Sequence, residues 1–453
     1  MRYNVEHQRN IAFDLMDLRS KGISLADIFE TEDVIAIYGF DFLGKEVYNI
    51  IKNKVKKVFF IDRAYNGAMY DNAPVFSLES EEIIPFTSEF DEIKVINMVI
   101  SDENKIENDV MARLKNASME SVYEVLVKAR LLYDKGFMDE LNSKTKQTID
   151  RILKNEKPNF RNIILVGTTY TQLLSIMYVD NWEESMYIME RYIDVSIANS
   201  MKENELCCLY EKTPIQYYSL TYVIAAYARR WNIPVYGHDH MSLSRAFLTN
   251  RMNVVEDGAG NYDIKYAGQY PIVLDNGRNY YSLGFDELVN KVILTGQFEI
   301  PCELRDKAEV IDPQYMWKKV RDKEKLLSIL GLTSEVLSDA NSVNGSILFL
   351  TETNISAGAE LRTQDEQVLL YKEILSNYPT DLVFIKPHPA DKIDYNLCLP
   401  EYKIIRKSFP IQILMWLDVK FSRVVLMQES SCLNIFNDMC EVDVYNDDGK
   451  KIN

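Results

Sequence analysis

The chain is short of positive charge, of histidine and of any cysteine pattern. Its 453 residues carry 51 Lys and Arg against 68 Asp and Glu, a formal charge of -17. That balance excludes a general nucleic-acid binder, because a phosphate backbone is held by an excess of cations. An anionic small ligand remains admissible if its pocket is locally basic. The six cysteines have no paired spacing, and the adjacent Cys207 and Cys208 fit neither a CxxC redox motif nor a zinc ribbon. A reducing compartment is expected. No window reaches the roughly 18 uncharged apolar residues of a membrane span, and the N-terminal MRYNVEHQRNIAFDLMDLRS has no apolar signal core. These absences imply a cytoplasmic protein. Peripheral attachment to the inner face of the membrane is a second reading of YMWKKVRDKEK (315–325), where aromatics adjoin cations, although a solvated charged helix accounts for the same residues.

With 47% hydrophobic residues, the chain can bury large cores and is too long for one ordinary domain. Strand-like and helical apolar patterns alternate in three stretches. The first holds DVIAIYGFD, LGKEVYNIIKN, KKVFFID and IKVINMVI. Its Gly39 to Lys45 turn resembles a phosphate loop, but Glu46 stands where a magnesium-binding Ser or Thr would be, and the full GxGxxG is missing. Asp62 at the end of the next strand would suit a nucleotide ribose, yet a structural turn is the favoured reading. The second stretch runs from RNIILVGTTY to NVVEDG, and the third from GSILFLTET to the C-terminus. Such alternation implies an α/β fold with parallel sheets covered on both faces.

Two successive α/β units suggest a GT-B-type pair of Rossmann-like domains, with an additional Rossmann-like domain in front. The expected division is an accessory domain at 1–111, a helical connector at 112–157, an acceptor-side half at 158–290, a bridge at 291–343 and a donor half at 344–453.

Three motifs each follow an apolar strand-like run, which places them at strand ends lining a cleft. In VVEDGAGNY (254–262), Glu256 and Asp257 precede Gly258, where the backbone turns sharply. A carboxylate there could take a proton from an attacking hydroxyl, although an ordinary acidic turn reads the same way. In KPHPADK (386–392), prolines on both sides hold His388 at a strand end, where an imidazole could face a departing phosphate. In QESSCLNIF (428–436), Ser430 and Ser431 open a helix-like stretch, a ready phosphate cradle or a plain N-cap. A metal reading of YGHDHMS through His238, Asp239 and His240 lacks further ligands, so these two histidines are assigned to the acceptor side of the cleft. Lys386, Arg362 and Arg406 are candidates for local positive charge.

An acidic-acidic-Gly motif, a His-Pro motif and a Ser-Ser motif in this order resemble the bacterial sialyltransferases of the lipooligosaccharide and polysialic-acid type. The resemblance is strongest over 345–436 and leaves 1–155 uncovered. It implies an inverting, metal-independent transfer of sialic acid, or a related nonulosonate or Kdo, from a CMP-sugar donor to a cell-surface glycan, with a galactose-terminated acceptor. Carried over by motif, Asp257 or Glu256 supplies the base, with Asp257 preferred, and His388 protonates or stabilises the CMP phosphate. Ser430 and Ser431 hydrogen-bond that phosphate, and Lys386, Pro389, Thr351 and Gly358 complete the donor side. TETNISAGAE (351–360) departs from the family's usual loop. No cofactor is implied, and a homodimer is expected from the resemblance only. Competing readings are another GT-B enzyme, such as a UDP-sugar epimerase or a CDP-glycerol-type phosphotransferase, or a non-catalytic sugar-nucleotide-binding protein.

Overall fold

A computed structural model describes residues 5–65, 67–99, 103–212, 217–269, 272–274, 278–330, 345–352, 355–356, 359–360, 362–388, 391–405, 407, 410–416, 419–427, 436 and 440–452. The apolar runs become strands buried along almost their whole length, as parallel sheets covered on both faces require. The first sheet contains β1 (Val34–Tyr38), β2 (Lys57–Ile61), β3 (Ala68–Tyr70), β4 (Ala73–Phe76), β5 (Ile93–Asn97) and β6 (Ala117–Ser121), in the order β3-β4-β2-β1-β5-β6. Only β3 runs antiparallel to its neighbour.

The second sheet is assembled from β7 (Asn162–Val166), β8 (Ser185–Met189), β9 (Cys207–Tyr210), β10 (Val235–Gly237) and β11 (Asn253–Val255). A small hairpin, β12 (Ile272–Val273) with β13 (Asn279–Tyr280), comes next outside it, and β14 (Lys291–Leu294) and β15 (Ala308–Val310) then rejoin it. Its order is β15-β14-β11-β10-β7-β8-β9, parallel throughout. In the third layer, β16 (Ile347–Leu350) is followed by the hairpin β17 (Ile355–Ser356) and β18 (Ala359–Glu360). The sheet itself continues with β19 (Val383–Lys386), β20 (Lys403–Ile404), β21 (Arg423–Met427) and β22 (Glu441–Tyr445), ordered β20-β19-β16-β21-β22 and parallel.

This is the α/β fold expected, with predominantly parallel sheets in three successive layers. The first sheet takes in β6, and the second takes in β14 and β15, so both run past the borders drawn from sequence. In the second sheet the chain moves from β7 to β8 and β9, then returns to place β10 on the other side of β7. The third repeats the move around β16, with β19 and β20 on one side and β21 and β22 on the other. Each reversal leaves a crevice at the C-terminal strand ends, the position where open α/β sheets bind ligands.

The layers share cores. One cluster joins Ile35, Ile37 and Phe60 of the first layer to Ile163, Leu165 and Val254 of the second through Val125, Leu126, Tyr222 and Val223. Another joins Ile164 and Tyr187 of the second layer to Leu348 and Val424 of the third through Trp317, Leu326 and Leu330. Each such side chain contributes about 1.5–3 kcal/mol when removed from water. Trp317 is therefore an interior plug, 4% exposed, and the tryptophan of the 315–325 stretch is not available to a membrane surface. Lys325 of the same stretch pairs with Glu183. Among the described residues no helix is long and apolar enough to cross a membrane. The five described cysteines are free thiols.

Candidate active site

The second layer places its chemistry at the ends of β7, β10 and β11. Gly237 closes β10 at φ +117, and a Cβ there would stand 2.0 Å from the Leu165 carbonyl oxygen, so only glycine allows β10 to meet β7 so closely. Gly167, just after β7, leaves the space that the His238 ring fills, since a Cβ would lie 2.3 Å from Nδ1. Thr168 caps the helix Thr169–Tyr178, accepting from the Thr171 amide. Its hydroxyl donates to Asp257 Oδ1 at 3.0 Å.

Asp257 is the meeting point. His238 Nε2 lies 3.0 Å from Oδ1, and His240 Nε2 lies 3.4 Å from Oδ2. The Thr171 hydroxyl donates to the Glu256 carbonyl at 2.9 Å and stands 2.6 Å from His238 Nε2. The Asp257 amide donates to Asn261 Oδ1 at 2.7 Å, which fixes the turn through Gly258. The carboxylate keeps 22% of its surface. Burial alone would raise its pKa, but the two imidazoles outweigh that and hold the carboxyl well below the usual carboxylate range. His240 shows the complement: desolvation would lower its pKa, and the carboxylates of Asp239 and Asp257 reverse this and push it up to about 9.

Glu256 has a different environment. It is fully buried, and it accepts from the Thr295 amide at 2.6 Å, Gln297 Nε2 at 2.6 Å and Tyr262 Oη at 2.5 Å. Its pKa is raised by burial, against the pull of these donors. A carboxylate so enclosed ties β11 to the segment after β14 and has no free face for a substrate. Glu256→Gln turns a donor group towards other donors and is expected to lower unfolding stability by about 1–3 kcal/mol, read as a lower denaturation midpoint.

In the third layer, the Thr351 hydroxyl at the end of β16 donates to Asp391 Oδ2 at 3.0 Å and accepts from the His388 amide at 2.9 Å. Asp391 also accepts from Tyr395 Oη at 2.6 Å and the Ile393 amide at 3.1 Å. These bonds fix the backbone that presents His388, whose side chain is exposed. Desolvation by the surrounding loop, together with the Lys386 and Lys407 ammonium groups, keeps its pKa below the usual 6.5.

The model of glycosyltransferase family 52 matches residues 175–446, well over half of the chain. The chain belongs to glycosyltransferase family 52. This is the bacterial sialyltransferase family that its motifs resemble. A protein of Haemophilus influenzae (strain ATCC 51907 / DSM 11121 / KW20 / Rd) carrying the name "Uncharacterized protein" is 32% identical over 195 residues, 43% of this chain and 62% of that protein. The chain thus spans under two thirds of that relative's length. Among solved structures, an alpha/beta-galactoside alpha-2,3-sialyltransferase of Photobacterium phosphoreum is similar at 14% identity and a TM-score of 0.44, over 64% of this chain and 91% of that one. A UDP-GlcNAc 2-epimerase of Neisseria meningitidis bound to UDP-GlcNAc is similar at 13% identity and a TM-score of 0.32, over 58% and 76% of the two chains.

In this family 52 chain, Asp257, His238 and His240 come together, and Thr351 joins the His388 loop. His238 is 1% exposed, which withdraws it from any acceptor and makes it a support for Asp257. The Lys386 ammonium is buried and donates to the carbonyls of Pro387 and Lys407 at 2.5 and 3.0 Å, so it braces the loop. Arg362 is bound to Asp447 at 2.6 Å. Gly358, Pro389, Arg406, Ser430 and Ser431 lie outside the described residues. Sequence reading missed Thr168, Thr171, Asn261 and Asp391, and weighed Asp239 only as a metal ligand. The GTTYT run after an apolar strand carries the N-cap signal for the first two; the others have no local signature.

The Gly39 turn of the first layer spends its amides on its own carboxylates. Asp41 accepts from the Gly44 amide at 2.7 Å and Asp62 from the Phe40 amide at 2.8 Å. Both groups stand where a phosphate would need free donors, which agrees with a structural turn. Among the described residues no three His, Cys, Asp or Glu side chains form a group that could hold a metal ion.

Proposed function

We propose that the protein is an inverting sialyltransferase that moves sialic acid, or a related nonulosonate or Kdo, from a CMP-activated donor to a hydroxyl of a cell-surface glycan without a metal. The observation that carries this reading is Asp257, a part-exposed carboxylate kept ionised at the switch point of the second layer. In the transfer, the acceptor hydroxyl gives its proton to Asp257 as its oxygen bonds to the anomeric carbon. The bond from that carbon to the phosphate oxygen breaks, and the electron pair leaves with CMP. His388, at the strand end of the other half, would face the departing phosphate and donate a hydrogen bond or proton to it. Ser430 and Ser431 would add donors to the same oxygen atoms. In this reading the CMP-sugar donor is met on the cytoplasmic side, the acceptor is a glycan, and a galactoside is the first acceptor to try.

The test is CMP release from CMP-Neu5Ac with lactose, in the presence of EDTA. Acceptor-dependent release that survives EDTA supports the reading. CMP binding without turnover for any acceptor would favour a non-catalytic sugar-nucleotide binder, and turnover of UDP-GlcNAc or CDP-glycerol instead would replace the reading with an epimerase or a phosphotransferase.

His388 gives a pH signature. Its lowered pKa means that the protonated form gains population only as pH falls below the usual 6.5. The wild-type kcat is therefore expected to climb as pH drops through that range. His388→Ala should lose about 10²-fold in kcat and show no such rise; an unchanged profile would remove His388 from the reaction.

A further inference from the structure

The turn after β10 holds more charge than a lone base requires. Asp239 is fully buried, and its carboxylate accepts from the Leu283 amide at 2.7 Å, the Gly284 amide at 2.9 Å and Tyr280 Oη at 3.0 Å. Three donors from one segment fix it. Its Oδ1 stands 3.6 Å from His240 Nδ1, too far for a hydrogen bond but close enough for strong attraction. The other nitrogen of the same ring faces Asp257 Oδ2 at 3.4 Å. His240 is thus held between two carboxylates, one buried and rigid, the other open to substrate.

A carboxylate base meets a difficulty if the donor is an acid sugar on a phosphodiester, because both partners are anions and the chain as a whole is acidic. We propose that His240 is a positioning residue: held between Asp239 and Asp257, it orients the Asp257 carboxylate towards the acceptor hydroxyl and compensates its charge when the anionic donor arrives. The inference rests on the transferase reading above. The other groups acting here are the His238 ring, centred 5.1 Å from that of His240, Tyr280 and Lys307, which interact with Asp239, and Asp286, which acts on those two. Glu190 is occupied by Ser242 and the Leu243 amide.

His240 carries its proton below about pH 9 and loses it above, so compensation is present at neutral pH and is lost through that value. Wild-type kcat/KM for the donor is expected to fall as pH rises through about 9, and His240→Asn should lack this limb. The same variant removes one of the groups that keep Asp257 ionised, so its acid-side midpoint should move up. A merely structural role would shift neither limb.

An NMR titration of the histidine Cε1–H signals separates the positioning role from the transferase reading. His240 should titrate near pH 9 in the wild type and return towards 6.5 in Asp257→Asn. A wild-type midpoint at or below 6.5 would overturn the proposal whether or not the protein is active, as would a His240→Asn variant, folded by its melting curve, that keeps both limbs. An ion pair seen by NMR in a protein that turns over no sugar nucleotide would overturn the transferase reading and the catalytic part of the proposal together.

Discussion

Asp257→Asn is expected to lower kcat for sugar transfer by about 10²–10⁴-fold, the usual contribution of a positioned general base, while KM for the donor changes little. The carboxamide keeps the size of the side chain and can still accept from the Thr168 hydroxyl, which lies 3.0 Å from Oδ1 in the native protein. What it loses is the charge that receives the acceptor proton. The contrast with Glu256 sharpens the test. Two adjacent acids occupy the motif, yet only Asp257 reaches solvent, and Glu256 is consumed by Thr295, Gln297 and Tyr262. Loss of turnover should therefore track Asp257, and loss of stability should track Glu256. The measurement is steady-state CMP release for both variants beside their denaturation curves. A Glu256→Gln enzyme that melts like the wild type and is inactive, next to an active Asp257→Asn enzyme, would exchange the two roles.

Much of this site could be read from the chain because parallel strands announce themselves. Buried on both faces, β7, β16 and β19 are unbroken apolar runs, and the residues directly after such a run must lie at a C-terminal strand end. That logic placed Asp257 and His388 at strand ends without any knowledge of strand order. It could not tell that β10 sits beside β7, because the order within a sheet depends on crossovers and not on local pattern. The contact of His238 and His240 with Asp257 is a product of that order. Seen along the sequence, the two histidines look like an isolated alternating pair; in the fold both stand against Asp257. Lys386 shows a related limit: a lysine ending a buried strand suggests a cation offered to a ligand, and the tight loop turns its ammonium onto two backbone carbonyls. The 315–325 stretch shows the same limit. Aromatic and basic residues side by side read as a surface, and only the neighbouring layer reveals that Trp317 fills an interior gap.

The first layer was the least legible part, and its attachment yields the second large effect. Arg130, on the helix Val122–Tyr133, is 5% exposed and bonds Asp14 and Asp17 at 2.7 Å each, with Asp134 at 3.4 Å. The other oxygen of Asp14 accepts from Ser219, which belongs to the helix Tyr218–Arg230 of the second layer. Tyr123 stacks on Tyr222 beside this contact, ring centres 4.8 Å apart. A charge network therefore lies inside the joint between the layers, where nothing in the sequence marked these residues as partners. Removing Arg130 leaves Asp14 buried without its cation, while Lys21 stays on Asp17 and Asp134, so Arg130→Met is expected to destabilise the protein by about 3–5 kcal/mol. The pH dependence has two opposing parts. Asp17 and Asp134 feel some desolvation, but the bonds from Arg130 and Lys21 lower their pKa values, so their contribution is present above the usual carboxylate range and is lost as pH falls through the folded values. Asp14 has its pKa raised by burial, so protonation relieves part of its cost as the medium becomes acidic. Among the described residues, Arg130→Met removes the only cation on Asp14 and one of two on Asp17 and Asp134, and should flatten the acid side of the stability profile in part. In hydrogen exchange, the protection lost should concentrate in the helices Val5–Ser20, Val122–Tyr133 and Tyr218–Arg230 rather than in the third layer. Asp14→Asn combined with Arg130→Met should recover part of the loss, since one stranded charge is gone. Equal stability of wild type and Arg130→Met would mean that the apolar contacts around Tyr123 and Tyr222 hold the joint without the charges.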